Sequence, residues 1–474
     1  MRKPKLPKST IECPTCDKAS GLALGPGFSR RRFLQVAGTG LVASYFADVL
    51  SPALLHGATV APNVYLRKTA KNAIFIFLAG APSNTDLWDL KEGAWTPAAF
   101  APTDFNGGTM RFAQGLMPET SKHLDRISFV RSGLAWAAVH QLGQDWAQIS
   151  RSPTGATGSI APHIGAVVSI ESQASRKVTD ILPGFIALNS NAIPGAGYFP
   201  ATYAPFLVTP AAAGLSTLAH PDGAARLADR WALLHNLDTN RATGALGKAT
   251  LDADDFYVQS KAMIDTPSIN QAFSFTTDEH NRYGATGFGD SLVVARNLIN
   301  ARKGTRFVQA TLGGWDHHSG IYTPNAGLFA ACKTFDPAFG ALLTDLRAMP
   351  GEESGKSLLD ETMIVITAEF GRTTGPVTAA QAGRDHALRM TTVWAGGGVR
   401  GGTVIGKTDA VGKDVVDYGW SGARDVRPED VTCTLYSALG IDYTTVRNDD
   451  PLGRGFEYVP FAKDGTYKPI DELF

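Results

Sequence analysis

Cysteine is scarce in this chain, with only Cys13, Cys16, Cys332 and Cys433 among 474 residues. So few cysteines exclude a fold stapled by a disulfide framework. Cys332 and Cys433 fall in apolar helical patterns, where cysteine serves as a small buried hydrophobe. The single C-x-x-C of Cys13 and Cys16 has no second C-x-x-C or nearby histidine pair to complete a zinc site, and no βαβ pattern around it. Charge of one sign is also missing: lysine plus arginine and aspartate plus glutamate number 44 each. No global field therefore favours nucleic acid, and no nucleic-acid partner is expected. There is no multi-span pattern of long apolar runs, no internal repeat and no low-complexity tract, which excludes a polytopic membrane protein and a disordered one. What is plentiful is glycine, at 50 residues. Glycine in that amount with moderate charge suits an α/β chain with many tight strand-to-helix loops.

The segment "SRRRFLQVAGTG", starting at Ser29, has the form of a twin-arginine export signal. Arg30 and Arg31 are the pair, Phe33 and Leu34 follow at the expected offset, and Gln35 replaces the frequent lysine. An Ala- and Gly-rich stretch runs from Val36 to about Leu55 and is interrupted by Asp48, so it is less apolar than a membrane anchor. Thr59-Val60-Ala61 offers a small-x-Ala cleavage site before Pro62. The expectation is a removed signal peptide over 1–61, recognised by the twin-arginine export machinery. A single mature domain over 62–474 would then work in the periplasm or outside the cell, not as an integral membrane protein.

Along the mature chain, "NAIFIFLAG" (72–80) is a continuous apolar run typical of a strand buried on both faces. "ISFVRSG" (127–133), "GFIALN" (184–189), "RFVQATLGG" (306–314), "TMIVITAEFGR" (362–372) and "MTTVWAGGG" (390–398) carry further strands. Helical spacing appears over 224–238, 288–304, 335–349 and 430–441. Strands alternating with helices predict an α/β fold, a largely parallel sheet with helices on both faces. The region near 190–285, poor in strand signals and rich in Pro, Gly and polar residues, is read as a helical or irregular insertion.

In open parallel sheets, ligands bind beyond the carboxyl ends of the strands. Three apolar runs here end in polar clusters. The first is "GAPSNTDLWD", with Ser83, Asn84, Thr85, Asp86 and Asp89. The second is "GGWDHH", with Asp316, His317 and His318. The third is "AEFGR", with Glu369 and Arg372, followed by "AGRDHAL" with Arg384, Asp385 and His386. Carboxylates and imidazoles converging from separate loops are what a divalent cation needs. In extended geometry Asp316 and His318 share a face and His317 points away. A single Asp or His after a strand is equally well an N-cap or a satisfied polar residue; three clusters at equivalent positions favour ligation. Arg131, Arg372 and Arg384 are candidate anion clamps, with ion pairing to a neighbouring carboxylate as the alternative. His140 is a candidate ligand or proton donor, or a structural histidine. Trp88 and Trp315 wall the site or belong to the core.

The motifs "FLAGAPSNTDLWDLK", "GGWDHHSG", "EFGRT" and "GRDHAL", in this order and with the twin-arginine leader, resemble the bacterial DUF1501 family, of the alkaline phosphatase and sulfatase superfamily. The resemblance covers nearly the whole mature chain. It implies an alkaline-phosphatase-like fold and a centre of one or two divalent metal ions (Zn, Mg, Ca or Mn) that hydrolyses phosphate or sulfate esters of a small molecule or saccharide. One metal site would use Asp316, His318 and His386; the other would use Asp86 with Glu369, joined by Asp385. The nucleophile implied is a hydroxyl, with Ser83 and Thr85 nearest the first cluster and Ser132 after a later strand; His140 and Arg384 complete the catalytic candidates. Two positions depart from the family pattern. Glu369-Phe370 stands where relatives carry Asp-His, removing one imidazole, and His317 stands where Thr is usual and is read as tolerated at an exposed position. The alternative implied is a non-catalytic secreted relative that binds a metal or ligand.

Overall fold

The computed structural model describes residues 64–474, apart from 191, 192, 219, 241, 242 and 244 and the side chains of 248 and 249. The export leader, its cleavage site, Cys13 and Cys16 lie outside the described residues.

An eight-stranded sheet organises the chain: β1 (Asn72–Leu78), β2 (Ile127–Leu134), β3 (Phe185–Leu188), β4 (Phe206–Val208), β5 (Phe307–Leu312), β6 (Thr362–Thr367), β7 (Arg389–Ala395) and β8 (Thr403–Ile405). Their spatial order is β8-β2-β7-β6-β1-β5-β3-β4. The helices of eight residues or more are α1 (His140–Ile149), α2 (Ile164–Glu171), α3 (Gly223–Leu237), α4 (Lys248–Ile264), α5 (Gly287–Ala301), α6 (Gly327–Ala348) and α7 (Pro428–Leu439).

All seven residues of β1 are buried, because the strand faces a core on each side. Ile74, Ile76 and Leu78 enter one core with Leu292 of α5 and Leu342 of α6. Ala73, Phe75 and Phe77 enter the other with Val167 of α2 and Leu435 of α7. Each fully buried Ile, Leu or Phe contributes roughly 1.5–3 kcal/mol, so an alternating polar pattern would have forfeited one core. Cys332 and Cys433 are free and buried. No helix of the described residues is long and apolar enough to cross a membrane.

The sheet is largely parallel as expected, and three details refine the arrangement. β7 runs antiparallel to both β2 and β6, whereas every other pairing in the sheet is parallel. A parallel return needs a crossover of a dozen or more residues, usually a helix. The connection from β6 instead holds a short antiparallel ribbon of Gly371–Arg372 with His386–Ala387. The expected helix over 335–349 starts earlier, at Gly327, with Pro337 in its interior. Proline is most at home in the first helical turn, yet here it lies about three turns inside the helix. The insertion is helical through α3 and α4, and it also adds β4 to the sheet edge, parallel to β3.

Candidate metal centre

β6, β1 and β5 lie side by side and end level: Phe77 pairs with Thr367 and Leu78 with Leu312. Their carboxyl ends therefore deliver Gly80, Asp316 and Glu369 to one place. Gly80 has φ of +108°, and a Cβ there would lie 2.7 Å from the Asp316 backbone nitrogen. Only glycine lets the two loops approach this closely. Its N–H donates to Glu369 Oε1 at 2.7 Å.

Above these ends, donor atoms of His140, Asp316, His318 and His386 lie within 4.8 Å of one another, the one such group among the described residues. His318 Nε2 is 3.0 Å from His386 Nε2 and 2.9 Å from Asp316 Oδ1. His140 Nε2 is 3.4 Å from Asp316 Oδ2 and makes no hydrogen bond although buried. Each imidazole is held from behind at Nδ1. Glu369 Oε1 takes His140 at 2.8 Å, Asp385 Oδ1 lies 3.1 Å from His318, and the Ala138 carbonyl takes His386 at 2.9 Å.

A proton on Nδ1 of each ring, shared with these acceptors, would leave a lone pair on each Nε2. In that tautomer three Nε2 lone pairs gather beside the Asp316 carboxylate, and the one on His318 also faces Arg372 Nη1 at 3.2 Å. That arrangement fits a cation. The second-sphere acceptors are the feature that orients metal-binding histidines generally.

Beside this point lies the Arg372 guanidinium, whose side chain is 1% exposed. It donates to Asp316 Oδ1 and to the Gly80 and Ala81 carbonyls, and its Nη1 lies 3.2 Å from His318 Nε2. Burial pushes the Asp316 carboxyl up, but the Arg372 hydrogen bond and charge, with His318 and His140, hold it below the usual carboxylate range. The outer side stays open, with the Asp316 and Asp385 side chains 46% and 70% exposed. Buried Phe370 closes the inner side against the His386 and His140 rings, at 4.6 and 5.0 Å between centroids. Where the expected imidazole is replaced by Phe370, His140 of α1 brings one alongside.

Other expected site residues lie elsewhere. Asp86, expected as a ligand, is buried and fully engaged: Arg384 Nε donates to it at 2.7 Å, Ser83 Oγ at 2.6 Å and the Tyr322 hydroxyl at 2.8 Å. Asp86, Glu369 and Asp385 form no second group of converging donors among the described residues. Arg384 is wholly buried and also donates to the Thr373 and Gly375 carbonyls, so it anchors Asp86 and is not an anion clamp. Arg131 pairs with Asp89 at 3.2 Å. Ser83 and Thr85, the expected nucleophiles, are 1% and 2% exposed, which seals both from solvent. Ser132 is also wholly buried. His317 is not exposed as expected but half-buried, its Nδ1 without a partner. Burial and Arg372 lower its pKa. Trp88 and Trp315 are core residues. Tyr322 and Gly80 were not candidates, and no local pattern marks Tyr322 as the partner of a residue 236 positions away.

The family model described as "Protein of unknown function (DUF1501)" matches residues 70–460. The chain belongs to this family. Solved structures with a similar chain path include Ps i-CgsB in complex with k-i-k-neocarrahexaose, at 10% identity over 84% of this chain and 77% of that one, TM-score 0.40. Another is a protein in the alkaline phosphatase superfamily from Vibrio parahaemolyticus, at 10% identity over 82% and 73%, TM-score 0.36. A third is the lipoteichoic acid synthase LtaP from Listeria monocytogenes, at 9% identity over 81% and 75%, TM-score 0.34. No curated protein matches this DUF1501 chain.

Proposed function

We propose that this DUF1501 protein is an exported, metal-dependent hydrolase of phosphate or sulfate esters. The observation carrying the reading is the convergence of three imidazole Nε2 atoms on the Asp316 carboxylate, each ring backed by its own acceptor. The ligands we assign are His140, Asp316, His318 and His386. Three nitrogens and one carboxylate oxygen suit zinc better than magnesium or calcium, which take oxygen ligands, and a fifth coordination position would receive the water or ester. His140, Asp316, His318 and His386 would hold a divalent ion that, when bound, would polarise an ester oxygen and lower the pKa of water. Glu369 and Asp385 act from behind the ligands, keeping the His140 and His318 rings turned so that Nε2 faces inward. Arg372 fixes the Asp316 carboxylate. With Ser83 and Thr85 sealed, the attacking group we assign is water. The exposed side of Asp316 is where an ester enters.

Elemental analysis of the exported protein beside Asp316→Asn tests this. The expected result is about one equivalent of zinc per chain, lost in the variant, with zinc-dependent turnover of aryl phosphate or sulfate esters. Zinc without turnover of aryl or saccharide esters supports a second reading, a non-catalytic metal-binding relative. The internal commitments of Arg131, Arg372 and Arg384 favour that reading, since they leave none of the three as a free anion clamp. No metal when zinc is supplied removes both. Export rests on the Arg30-Arg31 pair. Replacing both by lysine is expected to retain the precursor in the cytoplasm on fractionation; undiminished export would remove the twin-arginine assignment.

A further inference from the structure

Trp136 and Trp146 bracket His140 in sequence but wall a different space, a cavity of about 440 Å³ completed by Phe461, Tyr467, Arg151 and Glu429. Small-molecule sites span about 300–1,000 Å³. The two indoles stack at 5.8 Å between centroids, and both donate to Glu429, Trp136 at 2.9 Å and Trp146 at 2.9 Å. The Arg427 guanidinium lies 3.8 Å from the Trp136 ring centre. This wall is fixed before any ligand arrives.

The floor carries a polar group without a partner. Arg151 is 4% exposed; its Nη2 donates to the Glu457 and Tyr458 carbonyls and its guanidinium lies 3.9 Å from the Phe456 ring centre, yet its Nε–H makes no hydrogen bond. Leaving a buried donor unpaired costs roughly 1–3 kcal/mol, which an oxygen acceptor in the cavity would recover. At the rim, Phe461 is 58% exposed and holds a left-handed backbone, φ +58°. That conformation is strained for an aromatic residue, and such strain collects at binding sites.

A purely apolar ligand would leave Arg151 Nε unpaired, and a ligand charged with either sign would meet a like charge among Arg151, Glu429 and Glu457, which all line the cavity. The ligand that fits presents a flat C–H face to the aromatic rings and oxygens to Arg151. We infer that this cavity binds a pyranose unit of a saccharide, at a site separate from the metal centre.

Tryptophan fluorescence and calorimetric titration with cellohexaose, mannohexaose, chitohexaose and a sulfated hexasaccharide test the site. Saturable binding of at least one is expected, weakened about tenfold or more in Phe461→Ala, a rim change that leaves the core intact. Asp316→Asn is expected to bind the same sugar as tightly as wild type, which separates this site from the fate of the metal reading. Binding of none of the four would overturn the inference. So would binding that Asp316→Asn abolishes and Phe461→Ala leaves unchanged, because the sugar would then sit at the metal centre.

Discussion

At the scale of single residues, the decisive pairing is Asp86 with Arg384. Both side chains are essentially out of water, at 2% and 0% exposure. Removing one member of a buried pair typically costs about 3–5 kcal/mol because the other charge is stranded. Asp86→Asn is therefore expected to lower stability in denaturant titration by about that amount while zinc stoichiometry stays unchanged. Loss of zinc from a folded Asp86→Asn protein would return Asp86 to the ligand set. His163 makes a separate residue-level case. It caps α2 by accepting from Gly165 N–H at 2.9 Å, and burial drives its pKa down to about 3. The unfolded imidazole takes a proton near pH 6.5, the folded one only near 3. Its contribution is thus complete above about pH 6.5 and is lost at about 1.4 kcal/mol per unit as pH falls through that window. His163→Asn keeps a capping acceptor without the titration, so the stability difference between pH 7 and pH 5 is expected to shrink. An unchanged difference would show that another group carries it.

Among the elements, α1 matters because it lays His140 over the end of β6. The close approach depends on Gly143, where a Cβ would stand 3.0 Å from both Glu369 Cβ and the Glu369 carbonyl oxygen and 3.3 Å from Phe370. A branched side chain there has no room and lifts the helix. Gly143→Val is expected to weaken zinc binding at least about tenfold with the sheet intact, as read by competition with a chelating dye and by circular dichroism. Wild-type affinity in that variant would mean that His140 is not a ligand. The ribbon of Gly371–Arg372 and His386–Ala387 plays the matching part on the other side. Arg372 and His386 pair directly across it, so both project from the same face toward Asp316.

For the whole molecule, the proposed ligands, drawn from α1, the β5 loop and the ribbon, would tie together parts of the chain up to 246 residues apart, His140 to His386. An ion that binds only the folded arrangement stabilises it by mass action, about 2.7 kcal/mol at a hundredfold excess over the dissociation constant. Zinc is expected to raise the thermal midpoint of wild type and of Asp86→Asn, and to leave Asp316→Asn and His386→Ala unmoved. Equal shifts in all four would place the ion elsewhere.

Much of this was legible from local pattern. Short unbroken apolar runs such as 72–78, rich in Ile and Phe and soon followed by glycine, point to strands with a core on both sides. The alternation of Asp316, His317 and His318 shows which two share a face. The placement of polar clusters after strands points to the carboxyl edge, because parallel strands end together. Tertiary structure alone decided the rest. β7 turned antiparallel because its connection holds a short ribbon and no crossover helix. Asp86 and Asp316 look alike in sequence, each an acid after an apolar run. Their fates diverged because Arg384 and Tyr322 close on Asp86 from about 240–300 residues away and bury it, while Asp316, though paired with Arg372, stays half-exposed beside three imidazoles. Partners so distant leave no local periodicity, and whether a carboxylate serves a guanidinium or a cation is set by which of them folding brings to it.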